Sequence, residues 1–247
     1  GDPIIYGDYH THTIYSHGKG TIRDNVEEAY IKGRKEIAIC DHGPGHVSYG
    51  VKRNNLKVMR EEIDELNLEF EPKGIKILLG VEANILGFDG TIDVVEEDLK
   101  YLDILLLGYH FGAMPRNPVD FYKLYIFNGL SKLFSGLKDK AMKMNTEALI
   151  KAMDRYPVKI ITHPGSKVYV DIKKLARAAK EKNVALEINA SHSHLTIEEI
   201  KIALDEGANF YINSDAHRPE DVGNFEKGIK RAKLVKVPVE RIINAKE

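Results

Sequence analysis

The chain has 247 residues, a formal net charge of −1 and a single cysteine. That length holds a sizeable core and suits one α/β barrel. Near-neutrality excludes broad electrostatic attraction to nucleic acid or a membrane surface, and lone Cys40 excludes a disulfide framework and fits a reducing cytoplasm. No apolar run approaches the ~20 residues of a membrane span, and Gly1–Tyr6 is too short and lacks the basic start of a signal peptide.

Seven apolar, β-rich runs recur in order: Ile4–Tyr9, Glu36–Cys40, Ile75–Val81, Ile104–Tyr109, Val158–Thr162, Ala185–Ile188 and Asn209–Ile212. Each is nearly continuous in its apolar character, as strands buried on both faces are. Helical patterns alternate with them. Thr21 to Asp24 reads as a capping box, with Gly33 closing that helix. Asn55 precedes the stripe Leu56, Met59, Ile63, Leu66 and Phe70. Asp171 can cap Ile172–Lys182, and Thr196 with Glu199 caps a helix that Gly207 ends. A last helix spans about 225–234, and Pro238 starts a terminal turn. This alternation predicts a parallel sheet, and seven units without a linker predict one closed, TIM-like (β/α)7 barrel over residues 1–247. A doubly wound open sheet is the alternative, although no Gly-x-Gly-x-x-Gly follows the first strand.

The rhythm breaks between the fourth and fifth strands, where residues 111–145 form a long insertion. It is rich in aromatics and holds Arg116, Lys123, Lys132, Lys138, Lys140 and Lys143 against Asp120 and Asp139. It reads either as an ordinary helical insertion with a core stripe or as a basic, aromatic lid.

The strand ends carry the chemistry. The first delivers His10 and His12, with His17 just behind, and the second delivers His42 after Asp41. The third ends in Glu82, the fourth in His110, the fifth in His163, the sixth in Asn189 and the seventh in Asp215 and His217. In a barrel the carboxyl ends of the strands converge on one face, where active sites sit. Packing gives no reason for a Val/Ile/Leu strand to break into His, Asp, Glu or Asn seven times. His46, His192 and His194 read as loop histidines outside the metal shell. The set His10, His12, His17, His42, Glu82, His110, His163, Asp215 and His217 makes nine candidate ligands. At about three protein ligands per ion, nine suit two or three divalent ions, with a carboxylate such as Glu82 bridging. Clustered divalent ions favour hydrolysis of phosphate esters.

The motifs His10-Thr-His12, Asp41-His42-Gly-Pro44, Glu82-Ala-Asn84, Gly108-Tyr-His110, Thr162-His-Pro-Gly165, Glu187-Ile-Asn189 and Ser214-Asp-Ala-His217 run in order along the chain. In them the sequence resembles the PHP family (polymerase and histidinol phosphatase), and within it the YcdX-like trinuclear branch. The resemblance implies a distorted (β/α)7 barrel with zinc, manganese or iron ions at the carboxyl ends of the strands. It implies His10, His12, Glu82 and Asp215 around one ion. Glu82, His110 and His163 would hold the second, and His17, His42 and His217 the third.

The resulting expectation is a metal-dependent phosphomonoesterase in which a metal-bridging hydroxide attacks phosphorus and Glu82, Asp215 and His217 carry catalysis. Lys19 and Arg218, each beside a ligand, are candidates to steady phosphate charge, or are solvated surface cations. The expected partner is a small phosphate ester, such as histidinol phosphate by family analogy, with a homo-oligomer open. The rivals are a metal-dependent nuclease and a non-catalytic metal-binding module. Acids and bases are interspersed along the helices, which gives little surface for tracking a nucleic acid strand.

Overall fold

A computed structural model describes residues Gly1–Glu247. Seven strands, β1 (Gly7–Thr11), β2 (Glu36–His42), β3 (Lys76–Asn84), β4 (Ile104–Gly108), β5 (Ile160–Ile161), β6 (Ala185–Asn189) and β7 (Phe210–Asn213), pair in that order, and every pairing is parallel. The sheet nearly closes on itself. Thr11 bridges Ala216, the His12 amide donates to the Ala216 carbonyl at 2.8 Å, and the Tyr9 amide donates to Asn213 Oδ1 at 3.1 Å. The result is a distorted, TIM-like (β/α)7 barrel.

The first predicted strand is two pieces. Ile4–Ile5 leaves the barrel and pairs antiparallel with Ala245–Lys246. Asn244 holds this junction by donating from Nδ2 to the carbonyls of Gly7 and Ile212. The chain end thus joins the first and last strands of the barrel.

Two layers of core follow from the period-2 alternation of each strand. Ile37, Ile39, Leu105, Leu107, Ile161 and Leu186 face outward into the large core shared with the helices. Their neighbours Ala38, Cys40, Leu106, Ile160 and Ala185, with Tyr9 and Tyr211, fill the barrel interior. The interior mixes small residues (Ala38, Cys40, Ala185) with large ones (Ile104, Leu106, Ile160, Tyr9, Tyr211). At Gly80 even a Cβ would lie 2.6 Å from Cys40 Sγ and 2.7 Å from Ile104 Cγ2.

The predicted caps are formed. Thr21 accepts from the Asp24 amide at 3.0 Å and opens the helix Ile22–Ile31, Asp171 opens Ile172–Glu181, and Thr196 with Glu199 opens Ile197–Asp205. Between β4 and β5 the chain forms a helical run from Pro118 to Leu133, with π-type turns over Tyr122–Phe127, and then the helix Lys138–Arg155. That last helix buries Ala141, Ala148, Leu149 and Ala152 as an ordinary crossover helix does, so the predicted insertion boundary at 145 falls inside it. No helix is long and apolar enough to cross a membrane.

Candidate metal centre

The same alternation that fills the barrel interior aims the polar residues at its carboxyl end. Along β3, Leu78 and Gly80 face inward and are followed at the same parity by Glu82 and Asn84. Along β2, Ala38 and Cys40 are followed by His42, and along β6, Ala185 by Glu187 and Asn189. β1 needs an additional device. Asp8 pairs with Ile37 and Thr11 with Ile39, so Tyr9 and His10 together oppose Ala38. This one-residue bulge lets consecutive side chains face inward: Tyr9 into the interior core and His10, with His12 after it, into the polar cluster. Asp215 and His163 also need unusual backbone, with φ of 54° and 25°. Non-glycine residues held in this region mark sites where the surroundings over-determine the conformation.

Glu82, 1% exposed, is the hub. Its Oε1 lies 3.1 Å from His10 Nε2, 3.5 Å from His12 Nε2 and 3.4 Å from His42 Nδ1. Its Oε2 lies 3.0 Å from His110 Nε2 and 3.2 Å from His163 Nε2. Asp215 Oδ1 forms a second focus, 3.2 Å from His10 Nε2 and 3.1 Å from His12 Nε2. His217 stacks on His12 with ring centroids 4.2 Å apart.

Outer partners orient these rings. His10 Nδ1 lies 2.7 Å from Glu187 Oε2, His110 Nδ1 2.8 Å from Asn84 Oδ1, and His217 Nδ1 2.9 Å from the Asp215 carbonyl. An oxygen acceptor on Nδ1 places the ring proton there and leaves the Nε2 lone pair facing inward, the arrangement of metal-ligating histidines. Buried carboxylates hold the loops. Asp8 accepts from the Ser214 and Gly223 amides, Asp41 from the Thr13 amide and both the Thr13 and Ser16 hydroxyls, and Asp93 from the Asn84 amide and side chain. Glycine is needed at Gly43, where a Cβ would sit 2.3 Å from Asp93 Oδ2.

The electrostatics require positive charge at the centre. His10 presents an inward lone pair to two carboxylate oxygens, so a cation must lie between them. Without a metal a proton serves: burial opposes it, but Asp215, Glu187 and Glu82 push the His10 pKa well above its ordinary value. Burial likewise opposes ionisation of Glu82, yet His10 and His110 hold its carboxyl well below the usual range. Asp215 is held low by His10 and by hydrogen bonds from His12 and His192, again against burial. Burial and then His12 push His42 down, so that imidazole is neutral and able to ligate. The buried His12 Nδ1 and His42 Nδ1 have no hydrogen-bond partner. Nitrogen and carboxylate donors with unmet acceptors fit divalent transition ions.

Three groups bring their donor atoms within 4.8 Å of one another: His10, His12, Glu82 and Asp215; His42, Glu82 and His110; and His12, His42 and His217. The first matches the partition implied by the resemblance. The other two differ, because His42 joins Glu82 and His110, and His12 replaces His17. His17 stacks on Tyr49 at 3.8 Å, with its ring 5.3 Å from His217 and 6.3 Å from His42.

The groups open into a cleft of 550 Å³ lined by His17, Lys19, His42, His110, His163, His217 and Arg218 among others. His46 and His192, read from sequence as loop histidines, line it too. His192 Nε2 lies 3.3 Å from Asp215 Oδ2, and Arg231 donates to the Ser193 carbonyl beside it. His194 instead bonds Glu199 at 2.9 Å. Arg218 is committed to Asp221 through two hydrogen bonds of 3.0 and 3.2 Å. Lys167, which the sequence did not single out, lines the cleft, as does Phe111 at the start of the insertion. Neither Lys19 nor Lys167 has a carboxylate within 4.0 Å. The signal for Lys167 was its place four residues after His163, on the same strand-end loop.

The fold and the site define a barrel hydrolase-type metal centre. The chain belongs to the PHP domain family, whose model matches residues 8–191. It is 35% identical to a probable phosphatase of Proteus mirabilis over 96% of this chain and 89% of that protein. It is 36% identical to one of Caldanaerobacter subterraneus over 96% of this chain and 86% of that protein. Among solved structures it resembles the histidinol phosphate phosphatase of Lactococcus lactis, which was complexed with zinc, L-histidinol and phosphate. That match has TM-score 0.61 and 18% identity, covering 94% of this chain and 93% of that one. A putative histidinol phosphatase of Listeria monocytogenes matches with TM-score 0.63 and 16% identity, covering 88% of this chain and 97% of that one. At these identities the structural matches bear on the fold.

Proposed function

We propose that this chain is a metal-dependent phosphomonoesterase acting on a small-molecule phosphate ester. One observation carries the reading: a buried carboxylate, Glu82, ringed by five imidazoles within 3.5 Å at the carboxyl end of a barrel. The family and the probable phosphatases that share a third of its residues support phosphate-ester hydrolysis. The chain is accordingly a hydrolase of phosphate esters.

The donor set supports two or three divalent ions, zinc or else manganese or iron, which His10, His12, His42, Glu82, His110 and Asp215 would hold. When bound, such ions supply Lewis acidity toward phosphate oxygens and lower the pKa of water. The protein's own part is positioning. Glu187, Asn84 and the Asp215 carbonyl aim the rings, and Asp8, Asp41 and Asp93 hold the loops that carry them. Lys19 and Lys167, two unpaired cations on the cleft, are placed to bind phosphate oxygens that the ions do not hold. Arg218 is the weaker candidate, because Asp221 and Glu220 already balance its charge. The histidinol and phosphate in the L. lactis structure support a substrate of that size. We take residues 1–247 as one barrel unit, and buried Cys40 supports a cytoplasmic setting.

Rates on a broad panel of phosphomonoesters, beside single-stranded DNA under the same metal conditions, test this reading. We expect the best monoester to exceed DNA by orders of magnitude. DNA cleaved faster than every monoester would replace the phosphatase with a nuclease.

A further inference from the structure

We infer, on the basis of the phosphomonoesterase reading, that the substrate carries a second anionic group, a carboxylate or a further phosphate, which Lys167 and Lys132 bind at the rim of the cleft. The balance of charge in the cleft carries this. Its carboxylates are Glu82, Asp215 and Asp221, and its formal cations are Lys19, Lys167 and Arg218. Glu82 and Asp215 lie among the imidazoles, and Asp221 already accepts both hydrogen bonds from Arg218. No carboxylate lies within 4.0 Å of Lys19 or Lys167. The rim is thus positive before divalent ions add their own charge beneath it.

The two free cations stand on opposite sides of the mouth. Lys19 follows β1, where its amide donates to the His217 carbonyl at 2.8 Å. Lys167 follows β5, and in the ring of strands β6 and β7 lie between them on one side and β2, β3 and β4 on the other. An ester phosphate held by the ions and Lys19 therefore leaves Lys167 unmatched. Lys167 is half-buried, and a partly desolvated cation is unfavourable until an anion meets it.

A second cation backs it. Lys132, in the helical run after β4, donates to the Lys167 carbonyl at 2.7 Å and lies 5.2 Å from the Phe111 centroid. It too has no carboxylate within 4.0 Å. Phe111 is 51% exposed and lines the cleft beside His110, so it offers apolar surface to the carbon atoms between the ester and the second group. Its loop is fixed, because the Val47 amide donates to the Gly112 carbonyl at 2.8 Å and the Met114 amide to the Gly45 carbonyl at 3.0 Å. An ammonium group in this place would meet two lysines and no carboxylate. Aminoalkyl phosphates, histidinol phosphate among them, therefore match the rim poorly.

Isothermal titration of the zinc-loaded chain with four phosphonates tests the inference. A phosphonate is not cleaved, so binding is read apart from turnover. The probes are butylphosphonate, 4-aminobutylphosphonate, 5-phosphonopentanoate and butane-1,4-bisphosphonate, the last two separating a carboxylate from a second phosphate-like group. We expect at least one anion-ended probe to bind about 10-fold or more tighter than butylphosphonate, the value of a hydrogen bond to a charged group. The amino-ended probe should bind more weakly than butylphosphonate. Lys167→Met with Lys132→Met should erase the preference for the anionic end, whereas Lys167→Arg with Lys132→Arg should keep it. Equal affinities across the four probes, tightest binding of the amino-ended one, or a preference that survives the methionine pair would overturn the inference. Each of these would leave the phosphomonoesterase reading standing, which rates on the monoester panel decide separately.

Discussion

Glu187 Oε2 lies 2.7 Å from His10 Nδ1, and both side chains are fully buried. Glu187 also accepts from the Asn189 and Asn213 side chains and from the His163 amide. One carboxylate thus fixes the tautomer of a candidate ligand and ties β6 to β7 and to the loop after β5. Glu187→Gln keeps the shape but removes the charge behind His10. We expect metal affinity to fall about 10- to 100-fold, with the fold retained. Isothermal titration of chelator-treated protein with zinc measures it, and an affinity equal to wild type would show that Glu187 only braces the strands.

Metal stoichiometry separates His12 from His17. His12 belongs to two of the three donor groups, whereas His17 stacks on Tyr49 beside them. His12→Ala should lose more than one ion per chain, and His17→Ala at most one. Elemental analysis of the two variants, each against wild type, gives the counts.

The histidines titrate in opposite directions in metal-free protein. His217 is pushed down to about 4, by burial first and His12 second. Burial acts against charge on His163 too, but Glu82 outweighs it and raises that pKa above 6.5. A lowered histidine contributes stability that is complete above 6.5 and is lost as pH falls toward 4. A raised one contributes stability that is complete below 6.5 and is lost as pH climbs through its folded value. Glu82 and Asp215, both held low, add to the loss on the acid side. Metal-free stability should therefore peak near neutrality. Imidazole resonances should show His217 titrating near 4 and His163 above 6.5, and a single shared midpoint at 6.5 would contradict this.

The barrel interior leaves no room at Gly80. A methyl group there meets Cys40 Sγ, Ile104 Cγ2 and the Ile104 backbone carbonyl, the last at 2.8 Å. Gly80→Ala should destabilise by about 1–3 kcal/mol, read as a lowered midpoint in urea. Because Glu82 follows on the same face of the strand, metal affinity should drop as well.

The candidate ligands were legible as a cluster because each follows an apolar strand, so chain order alone placed them on one face. The bulge at Tyr9–His10 was not legible. The period-2 rule puts Tyr9 and His10 on opposite sides, and only pairing with Ala38 shows otherwise. The motif Glu187-Ile-Asn189 does not by itself reveal that Glu187 positions His10. Its signal was a carboxylate inside an apolar strand, at the same parity as Asn189. The split of the first strand depends on Ala245–Lys246, some 240 residues away, which no local pattern encodes. Periodicity also reads Val119, Tyr122, Ile126 and Leu133 as core, although all four are exposed, since an apolar face turned outward has the same spacing as one turned inward.

Phosphate-ester hydrolysis at a metal centre organised by Glu82 makes activity dependent on both the metal and this carboxylate. The direct measurement is phosphate release by chelator-treated protein as zinc or manganese is added back, for wild type and Glu82→Gln. Wild type should be inactive after chelation and recover with added metal, while Glu82→Gln stays inactive with its fold intact. Undiminished hydrolysis by the chelated wild type, or metal-restored activity in Glu82→Gln at the wild-type level, would show that hydrolysis does not depend on a Glu82-centred metal site.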